Sequence, residues 1–159
     1  MKRASGAVAP AKFTELLIMK LRYEVPGDDL SLAGRASAEV KRALGRLGVD
    51  PAAIKRLAVA MYEAEINMAI HAGGGIAEAE IVPGKVVVTL RDEGPGIADL
   101  ELAMQEGYST APDHIRELGF GAGMGLPNMK RNADELTIES APGAGTTIMI
   151  TIRWGTGQE

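Results

Sequence analysis

Apolar residues recur along this chain with two different periods. Leu32, Ala36, Val40, Leu44 and Leu47 stand at helical spacing, which predicts a helix over Ser31 to Gly48, with Gly48 just past its C-terminus. Asp50-Pro51 then supplies an N-cap and a first helical proline. The second helix runs to about Ala72 and stops at Gly73-Gly74-Gly75. Ahead of both, Leu21, Tyr23 and Val25 alternate with polar residues. The second half of Thr14 to Val25 therefore predicts an edge strand. Pro26-Gly27-Asp28-Asp29 is a turn whose Asp28 or Asp29 caps the following helix.

Farther along, Ile76 to Val82 and Lys85 to Arg91 flank Pro83-Gly84 as a β-hairpin. Glu135 to Ser140 and Thr146 to Trp154 form a second hairpin around Ala141-Pro142-Gly143-Ala144-Gly145. Between the hairpins lie a short helix, Asp99 to Gln105, and a helix from Met124 to Ala133 that opens straight out of glycines. Gly107 to Gly123 reads as a long loop with a weak helical patch near Ile115; a loop of ~15 residues inside a compact domain is usually functional or disordered. Helices and hairpins come in separate blocks rather than in βαβ alternation. The pattern predicts an α/β two-layer sandwich: a mixed, mostly antiparallel sheet with about three helices on one face. The length of 159 residues fits one domain. It is expected over 13–154, with tails at 1–12 and 155–159.

The second helix carries more than a core stripe. On a helical wheel Ile54, Leu57, Ala58, Met61, Ala64 and Met68 form one apolar stripe, and Val59, Ile66 and Ile70 a second. Arg56, Glu63, Asn67 and His71 form a polar row between them. A carboxylate and an amide one turn apart on the remaining face of a largely buried helix are costly unless they bind something. A solvated strip of ordinary surface residues is the other reading. Glu65 falls inside the first apolar stripe, where periodicity offers no role for it.

Composition narrows the chemistry. Cysteine is absent, which excludes disulfides, thiolate metal sites and a cysteine nucleophile, and fits a cytoplasmic protein. With two histidines, His71 and His114, no site of three or more histidines can form. The net charge of −4 argues against a nucleic-acid binder. No apolar run approaches the ~18 residues of a membrane span. Met1 to Lys12 has no apolar core and is expected to be a frayed tail, not a signal peptide.

The 20 glycines are the informative part of the composition. Asp92-Glu93-Gly94-Pro95-Gly96-Ile97 follows a strand directly, so a carboxylate stands beside backbone without side-chain cover; taken alone it is also an ordinary turn. Gly119-Phe120-Gly121-Ala122-Gly123-Met124-Gly125-Leu126 opens a helix and frees backbone N–H groups at its N-terminus, an arrangement suited to anions. The spacing is neither the dinucleotide fingerprint nor a Walker loop. Gly145-Thr146-Thr147 enters the final strand.

In this order, Glu-x-x-x-Asn on a helix, Asp-x-Gly-x-Gly, a long loop, a glycine-rich helix start and Gly-Thr resemble the Bergerat ATP-binding fold. This is the GHKL superfamily that includes gyrase and the histidine kinases. The N box is similar to Glu63 to Asn67, the first glycine box to Asp92 to Gly96, and the second to Gly121 to Leu126, with Gly107 to Phe120 as the lid. The resemblance covers roughly Leu16 to Trp154. Tyr62 to His71 resembles the N box of the bacterial anti-sigma-factor serine/threonine kinases. Glu101 to Asp113 and Gly123 to Arg131 resemble the stressosome switch-kinase branch. Two departures are Glu93, where Asn is common, and an insertion-like stretch from Asp113 to Leu118. The chain looks like a bare kinase domain, without a transducer domain or a dimerisation hairpin.

The resemblance implies roles. Asn67 would coordinate Mg²⁺ through its amide oxygen. Asp92 would accept the adenine amino group, with Gly96 packed on the ring and Thr146, with Thr147, behind it; Gly94 in the same box and Ile97 just after it would also bind the cofactor. Gly121, Gly123 and Gly125 would offer N–H groups to the phosphates, flanked by Met124 and Leu126. Glu63 would orient the nucleophile and accept its proton. Lys130 and Arg131 add charge near the phosphates or are solvated surface. Ser109 and Thr110 read as loop-capping groups. The implied cofactors are ATP and Mg²⁺. The implied activity is serine/threonine phosphorylation of a STAS-domain partner in bacterial stress signalling, with a sigma factor or another regulator downstream. The alternative is a nucleotide-gated partner-binding module with little or no kinase activity. Monomer and homodimer are both compatible with the family.

Overall fold

The alternating strands pair into one sheet with the order β1-β2-β3-β5-β4. The strands are β1 (Met19–Pro26), β2 (Gly74–Val82), β3 (Lys85–Asp92), β4 (Glu135–Ser140) and β5 (Thr146–Arg153). The computed structural model describes residues 18–109, 111, 113 and 124–155. Within them every pairing is antiparallel, so the expected mixed sheet is antiparallel throughout. β1 is an edge strand, as its alternation predicts. Both hairpins form in the expected places: Val82 pairs with Lys85 across Pro83-Gly84, and Ser140 with Thr146 across 141–145.

Period-two patterning gives the sheet two unlike faces. Ala77, Ala79 and Ile81, then Val86, Val88 and Leu90, then Ile148, Ile150 and Ile152 point inward and are buried. Each large aliphatic side chain among them contributes ~1.5–3 kcal/mol. The outer face carries ion pairs instead: Lys20 with Glu80 at 3.6 Å, and Arg22 and Arg91 with Glu78 at 3.8 and 3.5 Å. Such exposed pairs contribute ~0–1 kcal/mol each. They keep the sheet one-sided rather than holding it together.

The helices α1 (Arg35–Arg46), α2 (Pro51–Ala72) and α4 (Gly125–Asn132) lie on the apolar face, with α3 (Leu100–Ala103) a single turn capped by Asp99. Val40 and Leu44 of α1, Leu57, Met61, Ala64 and Met68 of α2, and Leu126 and Met129 of α4 complete the core. α2 begins as read, with Asp50 accepting from the Ala52 amide at 3.1 Å and Pro51 in the first turn.

The first helix differs from its expected span. Leu30–Leu32 is a 3-10 turn capped by Asp29. Ala33 is extended and Gly34 has φ 99°, a left-handed conformation that suits glycine. The helix therefore restarts at Arg35, and no local side chain caps it. The cap comes from Glu65 on α2. Its Oε2 accepts from the amides of Gly34 (2.8 Å) and Ala36 (3.1 Å). Its Oε1 accepts from the Ser37 amide (2.9 Å) and hydroxyl (2.6 Å). A charge in an apolar stripe is thus the N-terminal anion of a neighbouring helix.

Candidate nucleotide site

The polar row of α2 divides by function. Glu63, Asn67 and His71, each one turn from the next, line a cavity of about 460 Å³ between α2, the end of β3 and the start of α4. That volume suits a nucleotide-sized ligand, since small-molecule pockets span ~300–1,000 Å³. Arg56 does not join them. Its guanidinium donates to the carbonyls of Asn132 (3.1 Å) and Arg153 (3.0 Å) and pairs with Asp134 (3.1 Å). It pins α2 to the far ends of α4 and β5.

α4 packs against α2 and brings its N-terminus opposite the row. A Cβ added at Gly125 would stand 3.2 and 3.3 Å from the amide atoms of Asn67 and 3.4 Å from Glu63 Oε2. Glycine here lets backbone approach both side chains. Met124, Gly125 and Leu126 all line the cavity. Asn128, one turn on, donates from Nδ2 to Glu63 Oε1 at 3.3 Å. Gly121 and Gly123, and the lid beyond Ser109 apart from Ala111 and Asp113, lie outside the described residues.

The other wall is built around Asp92. Its Oδ1 accepts from the amides of Gly94 (2.9 Å) and Thr146 (3.2 Å). The Asx-type turn uses one oxygen of Asp92, and the residue also lines the cavity. Gly96, at φ 78°, has Ala141 O only 2.1 Å from where a Cβ would sit, so glycine alone fits. Pro95 O accepts from Gly143 N at 2.7 Å, and the Ile97 amide donates to Ser140 Oγ at 2.7 Å. Ser140 Oγ also stands 2.8 Å from Thr146 Oγ1. These bonds clamp the 93–97 loop to the β4–β5 turn.

Several expected residues fall elsewhere. Gly94 lies behind Asp92 against Ala72, where a Cβ would come within 2.5 Å of the Ala72 Cβ, and it does not line the cavity. Thr147 pairs with Arg91 and Glu139 on the outer face of the sheet, because strand neighbours point to opposite sides. Lys130 is exposed and away from the cavity, and Arg131 pairs with Glu106 and Asn128. Ser109 caps its loop by accepting the Ala111 amide at 3.0 Å, as read, and also lines the cavity. Thr110 lies outside the described residues. Sequence reasoning missed Tyr108, which lines the cavity, and Ser140 and Asn128, which hydrogen-bond to lining residues. The hairpin register, which puts Ser140 opposite Thr146, was the available signal for Ser140.

Burial holds His71 below the usual histidine range and keeps its imidazole neutral at neutral pH. Among the described residues no cluster of three or more His, Asp or Glu could hold a metal by itself. The donor set instead fits Mg²⁺ carried by phosphates. Asn67 offers one hard oxygen, Glu63 stands a turn away, and the Gly125 backbone leaves room beside them.

Residues 28–152 match the histidine kinase-like ATPase domain. The serine/threonine-protein kinase RsbT of Bacillus subtilis is 33% identical over 130 residues, covering 79% of this chain and 89% of that one. An anti-sigma F factor of Caldanaerobacter subterraneus is 38% identical over 103 residues, 62% of this chain and 68% of its own. Among solved structures, the RsbU and RsbW domains of Rv1364c from Mycobacterium tuberculosis superpose with a TM-score of 0.58 at 18% identity. They cover 85% of this chain and 32% of that longer one. The SiaB–SiaC complex of Pseudomonas aeruginosa gives 0.51 at 12%, with 86% and 89% covered. These two show the fold alone. Among the described residues no helix is long and apolar enough to cross a membrane. The chain belongs to the histidine kinase-like ATPase domain family, in the GHKL group that holds the RsbT-type serine/threonine kinases and the anti-sigma factors.

Proposed function

We propose that this protein is a cytoplasmic serine/threonine protein kinase that transfers the γ-phosphoryl group of ATP to a STAS-domain protein. The observation that carries the reading is Glu63 and Asn67, one turn apart on α2, facing the glycine at the start of α4 across the cavity. Mg²⁺ would supply charge neutralisation of the phosphates, held on the protein side by Asn67. Asp92 Oδ2, which takes no bond from the described chain, accepts the adenine amino group, and Gly96 gives the ring a flat wall. Gly125, at the start of α4, presents its amide to the phosphates. The acceptor hydroxyl oxygen forms a bond to the γ-phosphorus while the bond to the β–γ bridging oxygen breaks. ADP leaves, and the hydroxyl proton passes to Glu63. Phosphoryl transfer asks little more of a protein than this positioning and charge balance.

The kinase name of RsbT supports the reading. The test is incubation with Mg²⁺, [γ-³²P]ATP and the purified STAS-domain proteins of the same genome, with mass spectrometry of any labelled protein. Labelling on Ser or Thr, lost in Glu63→Ala, is expected. No labelling of any STAS protein would overturn it. Similarity to anti-sigma F factors favours a second reading, a nucleotide-gated module that captures its partner by contact. Tight partner binding that differs between ADP and a non-hydrolysable ATP analogue, without label transfer, would identify that case.

A further inference from the structure

α1 and α2 enclose a second, shallow groove beside the nucleotide cavity. Its floor is apolar. Ala38 comes from α1, and Ile54, Ala58 and Tyr62 succeed one another at four-residue steps along α2. Tyr62 keeps 39% of its surface exposed, and Ile54 and Ala58 are half-buried. Lys41 of α1 and Lys55 of α2 border the groove, and among the described residues neither ammonium has a carboxylate partner. By contrast Lys20, Arg22, Arg91 and Arg153 all pair with glutamates on the sheet. Tyr62 and Glu63 line both this groove and the nucleotide cavity.

We propose that this groove docks the protein substrate through an apolar segment flanked by carboxylates. The proposal rests on the kinase reading above and deepens it. Two features choose this occupant. The groove is continuous with the nucleotide site through Glu63, so a chain seated on Ile54, Ala58 and Tyr62 brings its hydroxyl to the carboxylate that takes the proton. The chain's net charge is −4. It repels an acidic partner overall, and the two unpaired lysines offer local complementarity that sets where such a partner lands.

The test compares wild type with Lys41→Glu/Lys55→Glu and with Ala58→Arg, using the STAS-domain protein as substrate. Calorimetric ATP affinity is the control for folding and should stay within about twofold, because the substitutions lie outside the nucleotide cavity. The KM for the STAS protein should rise at least about tenfold in both variants, with kcat at saturation little changed. Wild-type KM values in both variants would overturn the docking proposal and leave the kinase reading standing. Failure of the wild type to label any STAS protein overturns the kinase reading and this proposal with it. A dimer in sedimentation velocity that Ala58→Arg dissociates at unchanged KM would make the groove a self-interface and overturn the proposal too.

Discussion

The Glu65 carboxylate accepts the Ser37 hydroxyl at 2.6 Å and the Ser37 amide at 2.9 Å, and with them the start of α1. Glu65 is only 1% exposed, so the four donors it satisfies find no ready water if it is removed. Glu65→Ala should destabilise the fold by ~3–5 kcal/mol, since each buried donor left unpaired costs ~1–3 kcal/mol and partial relaxation recovers some. Glu65→Gln keeps one accepting oxygen and should lose less. Urea unfolding checks this, and a Glu65→Ala midpoint equal to wild type would refute it.

Asp92 separates structure from ligand binding atom by atom. Oδ1 holds Gly94 and Thr146, and Asn at this position keeps that oxygen. Asp92→Asn should therefore leave the unfolding midpoint close to wild type. It should weaken ATP binding ~10–100-fold, or ~1.4–2.8 kcal/mol, because an amide donor replaces the oxygen proposed to accept the adenine amino group. Calorimetric titration reads the effect directly, and unchanged affinity would move the adenine contact elsewhere.

Asn128 orients Glu63 from α4 at 3.3 Å. Glu63→Ala should abolish phosphoryl transfer with ATP affinity nearly intact. Asn128→Ala should lower the transfer rate ~10-fold at unchanged affinity, as expected for loss of an orienting contact. Single-turnover labelling distinguishes the two. Equal rates in Asn128→Ala and wild type would reduce this bond to packing.

Gly125 does not have a positive φ, so alanine is tolerated by its backbone. The added methyl would press on Asn67 from 3.2 Å. Gly125→Ala should keep stability within ~1 kcal/mol of wild type yet cut Mg²⁺-dependent ATP affinity ~10-fold, as a shifted ligand loses its geometry. Titrations with Mg²⁺ and with EDTA isolate that component. An equal loss in EDTA would place the effect on the phosphates instead.

Desolvation lowers the pKa of His71 from its ordinary 6.5. Between the lowered folded value and 6.5 the unfolded chain binds more protons, so stability rises with pH there. The protein should therefore lose stability as pH falls through 6.5, until the folded-state histidine is also protonated. His71→Gln should flatten that part of the curve in urea midpoints measured from pH 8 to 5. An identical slope in His71→Gln would assign the loss to other groups.

Local sequence determined most of the elements and the outline of the site. The aliphatic alternation of Val86 to Leu90, the Asp50-Pro51 start and the Pro83-Gly84 turn each act within a few residues, so their structures follow from neighbours along the chain. Glu63 and Asn67 were legible together because helical spacing alone puts them on one face. Tertiary structure decided what those faces meet. Glu65 looked misplaced because periodicity reports that a position is buried, not that a helix N-terminus waits there. The break at Gly34 and the helix start at Arg35 answer to that same distant carboxylate. Strand register, a non-local property, sent Thr146 inward and Thr147 outward, and set Ser140 beside Thr146. Arg56 shared its helix face with the site residues and was drawn instead to the carbonyls of Asn132 and Arg153, which only the folded packing of α2 against α4 and β5 brings within reach.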